Sequence, residues 1–395
     1  MENLKKIEFG EIAELRKEKF NPETSTEIKP CLELEHFEQV TGKINGFVPS
    51  SEQKSIKNVF YKGDVLFGKL RPYLRKYWLA EFDGVCSSEV WVLKPKSKDI
   101  SNEYLSNLIQ TNDFIQAANV SSGSKMPRAD WNYIVNFPFS IINSKTEQKA
   151  IAQVLSTADA AIHTTEKLIA QKELRKKWLM QQLLTGKKRL KGFSGEWKEK
   201  KLGKLFSQIK NVNDGGDSHS IMTISSKLGM ISQEDKFDRV IAGDSLKKYT
   251  QLVKGDFAYN KGNSKTYPMG CIYRLEEKES ALVPFVYICF SPTKLVDGLF
   301  YKHWFLAHGL DRQLNKIITS GARGDGLLNV NTDDFFGLKI IYPPIEEQTA
   351  IAQVLQAVDK EISLLKAKAE KLREQKKGLM QVLLTGKVRL KINNG

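Results

Sequence analysis

The chain has 395 residues, more than one hydrophobic core usually serves, so at least two domains are expected. Its 61 Lys and Arg residues against 46 Asp and Glu give a net charge of +15, which points to a polyanionic partner, nucleic acid or an anionic membrane, although a merely basic soluble protein would show the same balance. No run approaches the ~18 apolar residues that span a membrane and the charged N-terminus has no apolar signal region, so no membrane association and a cytoplasmic location are expected.

Residues 1–146 form the first predicted domain. Val65–Phe67 and Val90–Leu93 are short β-rich runs, whereas Glu103–Gln116 has helical periodicity. These elements indicate a mixed α/β domain.

The best candidate for DNA reading in this domain directly follows the first of these strands. Residues 69–77 alternate cations with aromatic side chains; Arg and Lys can bind phosphate or a guanine edge, and Tyr can pack on a sugar or base. The alternative is that the apolar members are buried and the cations are merely solvated. Residues 123–128 form a second basic turn. The candidate DNA-binding residues of this domain are Lys69, Arg71, Tyr73, Arg75, Lys76, Lys125 and Arg128.

Residues 147–192 contain a long predicted helix, the first spacer helix. Its apolar residues recur at alternating steps of four and three, which is the pattern of a coiled-coil seam. Gly186 stands where a helix C-cap is expected. The basic residues at 175–191 could touch phosphate, but solvation and helix capping explain them equally well. The seam residues are Ile151, Leu155, Ile162, Ile169, Leu179 and Leu183.

Residues 193–345 form a second predicted mixed α/β domain. Phe257–Tyr259 and Leu338–Tyr342 are short strand-like runs, and Leu299–Leu314 has helical periodicity. The fold class expected for the chain is therefore α+β, with two such domains separated by long helices.

Two loops of the second domain are candidates for DNA contacts. Residues 259–267 combine amide, hydroxyl and cationic donors; Asn can read adenine, and Lys can reach guanine or phosphate. Residues 321–326 are rich in glycine, which permits close approach of the backbone. The alternative is an ordinary glycine-bearing surface loop. The candidates are Tyr259, Asn260, Lys261, Ser264, Lys265, Tyr267 and Arg323.

Residues 346–395 contain a second spacer helix, which is a copy of the first. Glu147–Leu155 recurs as Glu347–Leu355 with eight of nine identities at an offset of 200 residues, and Leu183–Lys187 recurs at the same offset. Two blocks held in one register indicate an internal duplication. The second seam consists of Ile351, Leu355, Val358, Ile362, Leu365, Leu372, Leu379 and Leu383.

Each helix is expected to have about 36 residues and a length of roughly 55 Å at ~1.5 Å per residue. A lone amphipathic helix would expose its seam, so each needs a partner. If the two helices pair antiparallel, the two domains lie at opposite ends of a pseudo-two-fold repeat, and two unlike domains predict a bipartite, interrupted DNA target. Parallel pairing with a second copy of the chain is the alternative, which the polar seam positions Thr165, Lys172 and Lys176 do not exclude.

Sequence patterns of catalytic and metal sites are missing. Gly186-Lys187 lacks the rest of a Walker motif, and Tyr342–Ile345 has the wrong flanks for the catalytic turn of a DNA methyltransferase. The five histidines form no zinc motif, and the four cysteines have no CxxC spacing, so they are expected to be small buried apolar residues. We therefore expect no catalytic residue, metal or cofactor in this chain.

The layout resembles that of the specificity subunits of type I restriction–modification systems, over essentially the full chain. The resemblance lies in Gly63–Leu74 of the first domain and in Tyr342–Gln348, which leads into the second helix. The first helix departs from the family pattern, because Ile142–Gln148 lacks the two prolines found at the second. The resemblance implies a double-stranded DNA target, two methyltransferase subunits that use S-adenosylmethionine to modify adenine, and restriction subunits that use ATP and Mg.

Two other functions stay open at this point. One is a coiled-coil scaffold whose positive charge serves only solubility, which the absence of salt-dependent DNA binding would favour. The other is a single-chain methyltransferase of unfamiliar pattern, which binding of S-adenosylmethionine to this chain would favour. The main hypothesis is a non-catalytic subunit that reads DNA.

Overall fold

The computed structural model forms two compact units. Unit 1 consists of residues 1–167 and 367–395, and unit 2 of residues 168–366. Each unit thus combines one predicted recognition domain with half of each spacer helix. The structure describes residues 4–120, 126–213, 220–237, 243–262, 264–318 and 327–390.

The described strands of unit 1 form three sheets. A four-stranded antiparallel sheet has the order β2-β10-β7-β8, a five-stranded sheet has the order β3-β6-β9-β4-β5 with β4 and β9 parallel, and β1 pairs with β11. The strands are β1 (Leu4–Glu8), β2 (Ala13–Leu15), β3 (Lys19–Phe20), β4 (Pro30–Leu32), β5 (Val48–Pro49), β6 (Lys57–Phe60), β7 (Val65–Gly68), β8 (Tyr77–Leu79), β9 (Gly84–Cys86), β10 (Val90–Pro95) and β11 (Pro138–Ile142).

Short helices of unit 1 cover these sheets before the first long helix begins. The predicted helix Glu103–Gln116 is wrong as a single element, because the Thr111 side chain caps a new helix by accepting from Phe114 N at 3.3 Å. The helices are α1 (Phe9–Ile12), α2 (Asn102–Leu108), α3 (Asn112–Asn119), α4 (Trp131–Val135) and the long α5 (Lys145–Leu183), and the 3₁₀ turns are Leu34–His36, Ser50–Glu52 and Pro72–Leu74.

Unit 2 is built in the same way. The predicted helix Leu299–Leu314 is also two helices, because His308 adopts a left-handed conformation (φ 61°) that interrupts the helix. Its described elements are β12 (Lys198–Lys201), α6 (Leu202–Leu205), β13 (Phe206–Gln208), β14 (Ser220–Ser225), β15 (Gly229–Ser232), α7 (Gln233–Phe237), the 3₁₀ turn Gly243–Lys248, β16 (Thr250–Val253), β17 (Phe257–Asn260), β18 (Cys271–Arg274), β19 (Ser280–Val283), β20 (Ile288–Pro292), α8 (Gly298–Leu306), α9 (Asp311–Ile317), α10 (Thr332–Gly337), β21 (Lys339–Tyr342) and the long α11 (Ile345–Leu383).

The two units share one strand order. The sheet β13-β20-β17-β18 matches β2-β10-β7-β8, and β16-β19-β14-β15 matches β6-β9-β4-β5, including the parallel pair β14 and β19. Strand β3 has a reduced counterpart in the single bridge between Val212 and Thr250. The duplication seen in the helices therefore extends to the recognition domains, although their sequences agree far less.

A short Lys-Gly-Asp echo between the domains marks one shared turn. Gly63 and Gly255 both have positive φ, at 92° and 105°, a conformation that favours glycine. The following aspartates, Asp64 and Asp256, accept from a backbone N–H three residues earlier, at 2.9 and 2.8 Å. The Lys-Gly-Asp sequence therefore recurs in both domains because both need the same turn before β7 and β17.

The long helices begin and end at equivalent positions. Gln148 Nε2 donates to Ile142 O at 2.8 Å, and Gln348 Nε2 donates to Pro343 O at 2.8 Å, so the absence of prolines before α5 leaves the helix start unchanged. Both helices have 39 residues. The predicted C-cap is confirmed, because Gly186 has φ 69° and its copy Gly386 has φ 67°.

Antiparallel pairing of α5 and α11 is visible within each unit. In unit 1, Asp159 of α5 pairs with Lys376 of α11 at 2.7 Å. In unit 2 the copies of these residues, Asp359 and Lys176, pair at 2.5 Å. Within unit 2, Lys172 pairs with Glu361 and Lys176 with Asp359, so the contacts advance along α5 as they go back along α11, which confirms the predicted fold class.

The seam residues of both helices are buried or half-buried; none of them is exposed. The start of one helix and the end of the other complete the core of each domain. Ile151, Leu155 and Leu383 join the main core of unit 1, and their copies Ile351, Leu355 and Leu183 join that of unit 2. Among the residues described, no helix has the length and apolar character that a membrane span requires.

Candidate nucleic-acid interface

The candidate loop of unit 1, residues 69–76, connects β7 to β8. Arg71 and Arg75 flank the buried Pro72 in a 3₁₀ turn, and both arginines are left-handed, with φ of 53° and 49°. Such a conformation is uncommon for a residue with a side chain and is retained only where the surroundings fix it. The loop therefore has a fixed backbone conformation.

The second basic turn of unit 1 lies beside this loop. Arg71 N donates to Pro127 O at 2.8 Å, and Ala129 N donates to Lys69 O at 2.9 Å. Two segments whose bonded residues are 56 and 60 positions apart in the chain thus form one candidate surface. The predicted contact Lys125 lies outside the described residues.

Two of the predicted contacts hold the loop in place. The Arg75 guanidinium donates to Gln110 O at 3.0 Å and to Asn112 Oδ1 at 2.7 Å, at the junction of α2 and α3. Lys76 Nζ donates to Leu34 O at 2.6 Å. Arg75 and Lys76 thus hold the loop through these contacts, and each keeps further N–H donors, so their DNA contacts stay a prediction.

The remaining candidates of this loop differ in exposure. Arg128 is exposed but its Nε donates to Glu89 Oε2 at 3.1 Å. Lys69 is half-buried. Arg71 is exposed and Tyr73 is 51% exposed, and no side-chain hydrogen bond or ion pair within the described chain involves either of them. Arg71 and Tyr73 are thus the side chains of this loop that are best placed to meet a ligand.

Gln110, which sequence reasoning missed, links the loop to the helix pair of unit 1. Its Oε1 accepts from the buried Tyr77 hydroxyl at 2.8 Å and from Lys376 Nζ at 3.2 Å. Lys376 also pairs with Asp159 of α5. Burial raises the pKa of Tyr77, so it stays a neutral donor. A glutamine outside any motif gave no signal in the sequence.

The candidate loop of unit 2, residues 261–270, occupies the same topological place, between β17 and β18. It too is bonded to a second segment, residues 327–328, which follow the candidate residues 321–326 in the chain: Leu328 N donates to Lys261 O at 3.0 Å, and Gly262 is bridged to Leu327. The glycine-rich residues 321–326, including the predicted contact Arg323, lie outside the described residues.

Tyr259 is corrected from a DNA-contacting residue to a core residue. It is 0% exposed, its hydroxyl donates to Met269 O at 2.8 Å, and its ring stacks on Phe335 with centroids 5.1 Å apart. Burial raises its pKa. The alternation of strand β17 places Tyr259 inward, which the loop-based prediction overlooked.

The other described candidates, at the end of β17 and in this loop, divide into residues that shape the turn and residues at the surface. Asn260 Oδ1 accepts from Gly262 N at 2.9 Å, and Ser264 Oγ accepts from Tyr267 N at 3.1 Å, so both side chains shape the loop. Lys265 is exposed, whereas Lys261 is half-buried. Lys265 is therefore the candidate cation that projects most freely.

Tyr267 stacks on a residue that the sequence analysis did not single out. The rings of Tyr267 and His308 are 4.8 Å apart at 27°, and His308 Nδ1 lies 2.8 Å from Asp311 Oδ2. His308 is in the left-handed break between α8 and α9. A lone histidine outside a metal motif gave no reason to connect it with the loop.

The cysteines are buried, as predicted, and free. Burial raises the pKa of Cys31 to about 11 and that of Cys289 to about 12, so these thiols are poor nucleophiles. Within the described ranges, no three His, Cys, Asp or Glu side chains come together as a metal site would require.

Two mixed α/β domains on a shared helix pair, each with a loop of cationic and polar residues at the same place, define a two-domain DNA-recognition protein. The family model of the type I restriction modification DNA specificity domain matches residues 1–174 and 272–374, more than half of the chain. The chain therefore belongs to this family, whose members are the specificity subunits of type I systems and are not themselves enzymes.

Individual relatives agree with this assignment. The specificity subunit of the type I restriction enzyme MjaVIII from Methanocaldococcus jannaschii is 26% identical over 334 residues, covering 78% of this chain and 75% of the relative. The fold is similar to the solved HsdS subunit from Thermoanaerobacter tengcongensis (TM-score 0.51, 17% identity, 98% of both chains) and to the type I S subunit from M. genitalium (TM-score 0.59, 13% identity, 97% and 96%).

Proposed function

We propose that this specificity subunit reads a bipartite, interrupted and asymmetric DNA target, with one half-site for each recognition domain. The observation that carries the proposal is the equivalent position of the two candidate loops. Each follows the equivalent strand of the equivalent sheet and is bonded to a second segment, residues 127–129 in unit 1 and residues 327–328 in unit 2. Because the two loops differ in length and sequence, the two half-sites should differ in sequence.

Within each half-site, the exposed side chains have distinct tasks. Arg71 can bind a guanine edge or a phosphate, and Tyr73 can pack on a sugar or base. In the second domain Lys265 supplies the cation, and the Tyr267–His308 stack supplies a flat surface. The contacts of Arg75 and Gln110 fix the loop before DNA binds, so less conformational entropy is lost on binding.

We assign the helix pair two tasks. It docks two methyltransferase subunits, and it sets the length of the unread gap, because each helix contributes one half to each unit. The chemistry belongs to the partners: the methyltransferase subunits use S-adenosylmethionine, and the restriction subunits use ATP and Mg. The complex acts in the cytoplasm, on the cell's own and incoming DNA.

The direct test is adenine methylation mapping in cells that carry this chain with its methyltransferase subunit. We expect one interrupted motif with unlike halves to be modified, and deletion of this chain to abolish the modification. An uninterrupted motif, or none, would contradict the proposal.

Gel shifts separate the proposal from a plain scaffold. DNA binding by the chain with its partner should weaken steeply as salt increases, because phosphate contacts release counterions. A scaffold would show no such binding. Binding of S-adenosylmethionine by the isolated chain would instead favour a methyltransferase.

A further inference from the structure

Each unit has a further turn beside its candidate loop. In unit 1 this turn consists of residues 38–42 and lies against the end of the loop, because Val40 N donates to Arg75 O at 3.0 Å and Gln39 is bridged to Lys76. In unit 2 the turn consists of residues 226–228, which connect β14 to β15. We call these two segments the flanking turns.

A tyrosine of the strand that follows the candidate loop holds each flanking turn. The hydroxyl of Tyr77, at the start of β8, donates to Val40 O at 2.9 Å. The hydroxyl of Tyr273, in β18, donates to Ser226 O at 3.1 Å. The Tyr273 ring also lies 6.4 Å, centre to centre, from the ring of Tyr267 in the candidate loop. Equivalent strands therefore connect the flanking turn with the candidate loop in both units.

Each flanking turn has an exposed aliphatic side chain. Val40 is 62% exposed and Leu228 is 74% exposed. Within the described chain, neither of them joins a hydrophobic core. A single exposed aliphatic residue is ordinary in a protein surface. These two are notable because each stands on a turn that is tied to a candidate loop with cations and hydrogen-bond donors.

Val40 also has a backbone conformation that valine avoids. Its φ is 69°, in the left-handed region, where a β-branched side chain is strained. Such strain persists only where the surroundings fix it, and it is concentrated at sites that contact ligands. Here the hydrogen bonds to Arg75 and from Tyr77 fix the backbone on both sides of the residue. A valine at this position costs stability that glycine would not, which indicates a role outside the fold.

An aliphatic side chain supplies a contact that the cations of the candidate loops cannot. In the major groove, thymine presents its C5-methyl group, and apolar side chains recognise this group by packing on it. Arg and Lys bind phosphate or the edge of guanine instead. An aliphatic residue beside a cationic loop thus fits a base edge that contains a thymine.

We propose that Val40 and Leu228 are specificity-determining residues, and that each packs on the C5-methyl group of a thymine in the half-site of its own domain. The inference rests on the proposed function, because it takes each domain to read one half-site. It adds to each candidate loop an apolar contact from a separate turn of the same unit. A target in which adenines are modified contains thymines on the opposite strand, so the methyl groups are available.

The test replaces the thymines of the methylated motif by uracil, one at a time, which removes the methyl group and keeps the base pair. Binding of these duplexes to the full chain with its methyltransferase subunit is measured by competition. With the unaltered chain, we expect one uracil in each half-site to weaken binding about fourfold, which is the effect of one buried methyl group.

Two variants remove the aliphatic side chains separately. In Val40→Gly the effect of uracil should disappear from one half-site and persist in the other, and in Leu228→Ala the two half-sites should exchange these results. Val253→Ala is the matched control, because Val253 is 56% exposed and ends β16 just before the turn that leads into β17. This turn is at the opposite end of β17 from the candidate loop, so both effects of uracil should persist.

Thermal unfolding separates a DNA contact from a role in the fold. Because glycine adopts positive φ without strain, Val40→Gly should unfold at the same temperature as the unaltered chain or at a higher one. Its binding to the thymine-containing motif should nevertheless be about fourfold weaker or more. A variant that lost both stability and binding would show that Val40 supports the fold, and would overturn the inference for unit 1.

Equal binding of the thymine and uracil duplexes by the unaltered chain would overturn the inference alone. Effects of uracil that persist in both half-sites of Val40→Gly, or of Leu228→Ala, would overturn it for the unit concerned. Binding without any sequence preference would instead overturn the proposed function itself.

Discussion

Unit 1 and unit 2 have the same scaffold and different surfaces. In unit 2, the Arg189 guanidinium donates to both carboxylate oxygens of Glu347, at 2.5 and 2.6 Å. In unit 1, the copies Arg389 and Glu147 make the same two-point contact. The two candidate loops share no such contact. The duplicated residues thus close each unit in the same way, whereas the diverged residues are the ones proposed to set what each unit reads.

The reading loops are also supported differently. In unit 1, Arg75 and Gln110 connect the loop to the helices, so the loop is tied to the helix pair of its own unit. In unit 2, the loop is shaped by its own turns at Asn260 and Ser264 and by the ring of His308. The two candidate loops thus occupy equivalent positions but are held by different contacts.

The largest expected effect on stability comes from removing the arginine–glutamate contact that both units have. Arg189→Ala leaves the Glu347 carboxylate, which is 0% exposed, without its cation, and should destabilise unit 2 by about 3 kcal/mol. Arg389→Ala should destabilise unit 1 by about the same amount. Hydrogen exchange resolves the two units, and each substitution should raise exchange mainly in its own unit.

A control for this pair is Arg373→Ala, because Arg373 is 46% exposed and pairs with Glu166 on the surface. Its expected cost is below about 1 kcal/mol. If Arg189→Ala raised exchange in both units alike, the account of two separately closed units would be wrong.

The next effect concerns what unit 1 reads. Arg71→Asn keeps a residue that tolerates the left-handed conformation but removes the guanidinium. It should weaken binding to the methylated motif by about 1–3 kcal/mol and relax only the half-site of the first domain. Lys94→Ala, at the far end of β10, is the control in a DNA-affinity assay and should bind as the unaltered chain does.

Acid should affect the two units at different pH. His303 of unit 2 is 0% exposed, and burial lowers its pKa from 6.5 to about 4, so the folded state excludes a proton that the unfolded state binds. Unit 2 should therefore lose up to about 1.4 kcal/mol per pH unit as the pH falls from 6.5 towards 4.

In unit 1 the corresponding loss of stability begins at a lower pH. Hydrogen bonds from Arg389 lower the pKa of Glu147 below 4.5, so this stabilisation is complete above that pH and is lost as the pH falls further. Hydrogen exchange at pH 5.5 and 7 should show the loss in unit 2 alone. His303→Gln should flatten that dependence, and an unchanged slope would refute this role of His303.

The smallest expected effect is at the stacked pair of unit 2. Tyr267→Ala removes the ring beside His308 and should weaken recognition of the second half-site by about 1 kcal/mol. Tyr267→Phe keeps the stack and should have a much smaller effect. Methylation rates on targets altered in one half or the other measure the difference.

Much of the scaffold could be predicted from the sequence because it depends on local patterns. The heptad steps from Ile351 to Leu383 and the cap at Gly386 are visible in the chain itself. The two broken helices were missed because the breaks occur within apolar periodicity. The Thr111 side chain accepts from a backbone N–H and so starts a new helix. His308 adopts a left-handed backbone conformation that the helix propensity of its neighbours does not indicate.

The position of the candidate site could be predicted from the sequence, but the contacts of its side chains could not. Cations beside aromatics indicated the loop after β7, and Arg71 and Tyr73 are exposed there. The roles of Arg75 and Tyr259 depend on Gln110 and Phe335, which are far away in the chain. Such partners are brought near by tertiary folding, which one sequence does not reveal.

Exchange of one recognition domain tests the central claim most directly. Residues 196–345 would be replaced by the equivalent segment of a specificity subunit with another target, and the methylated adenines of the host would be mapped. The account predicts a motif in which one half changes, while the other half and the gap are retained. A motif altered in both halves would contradict two independent readers on one duplicated scaffold.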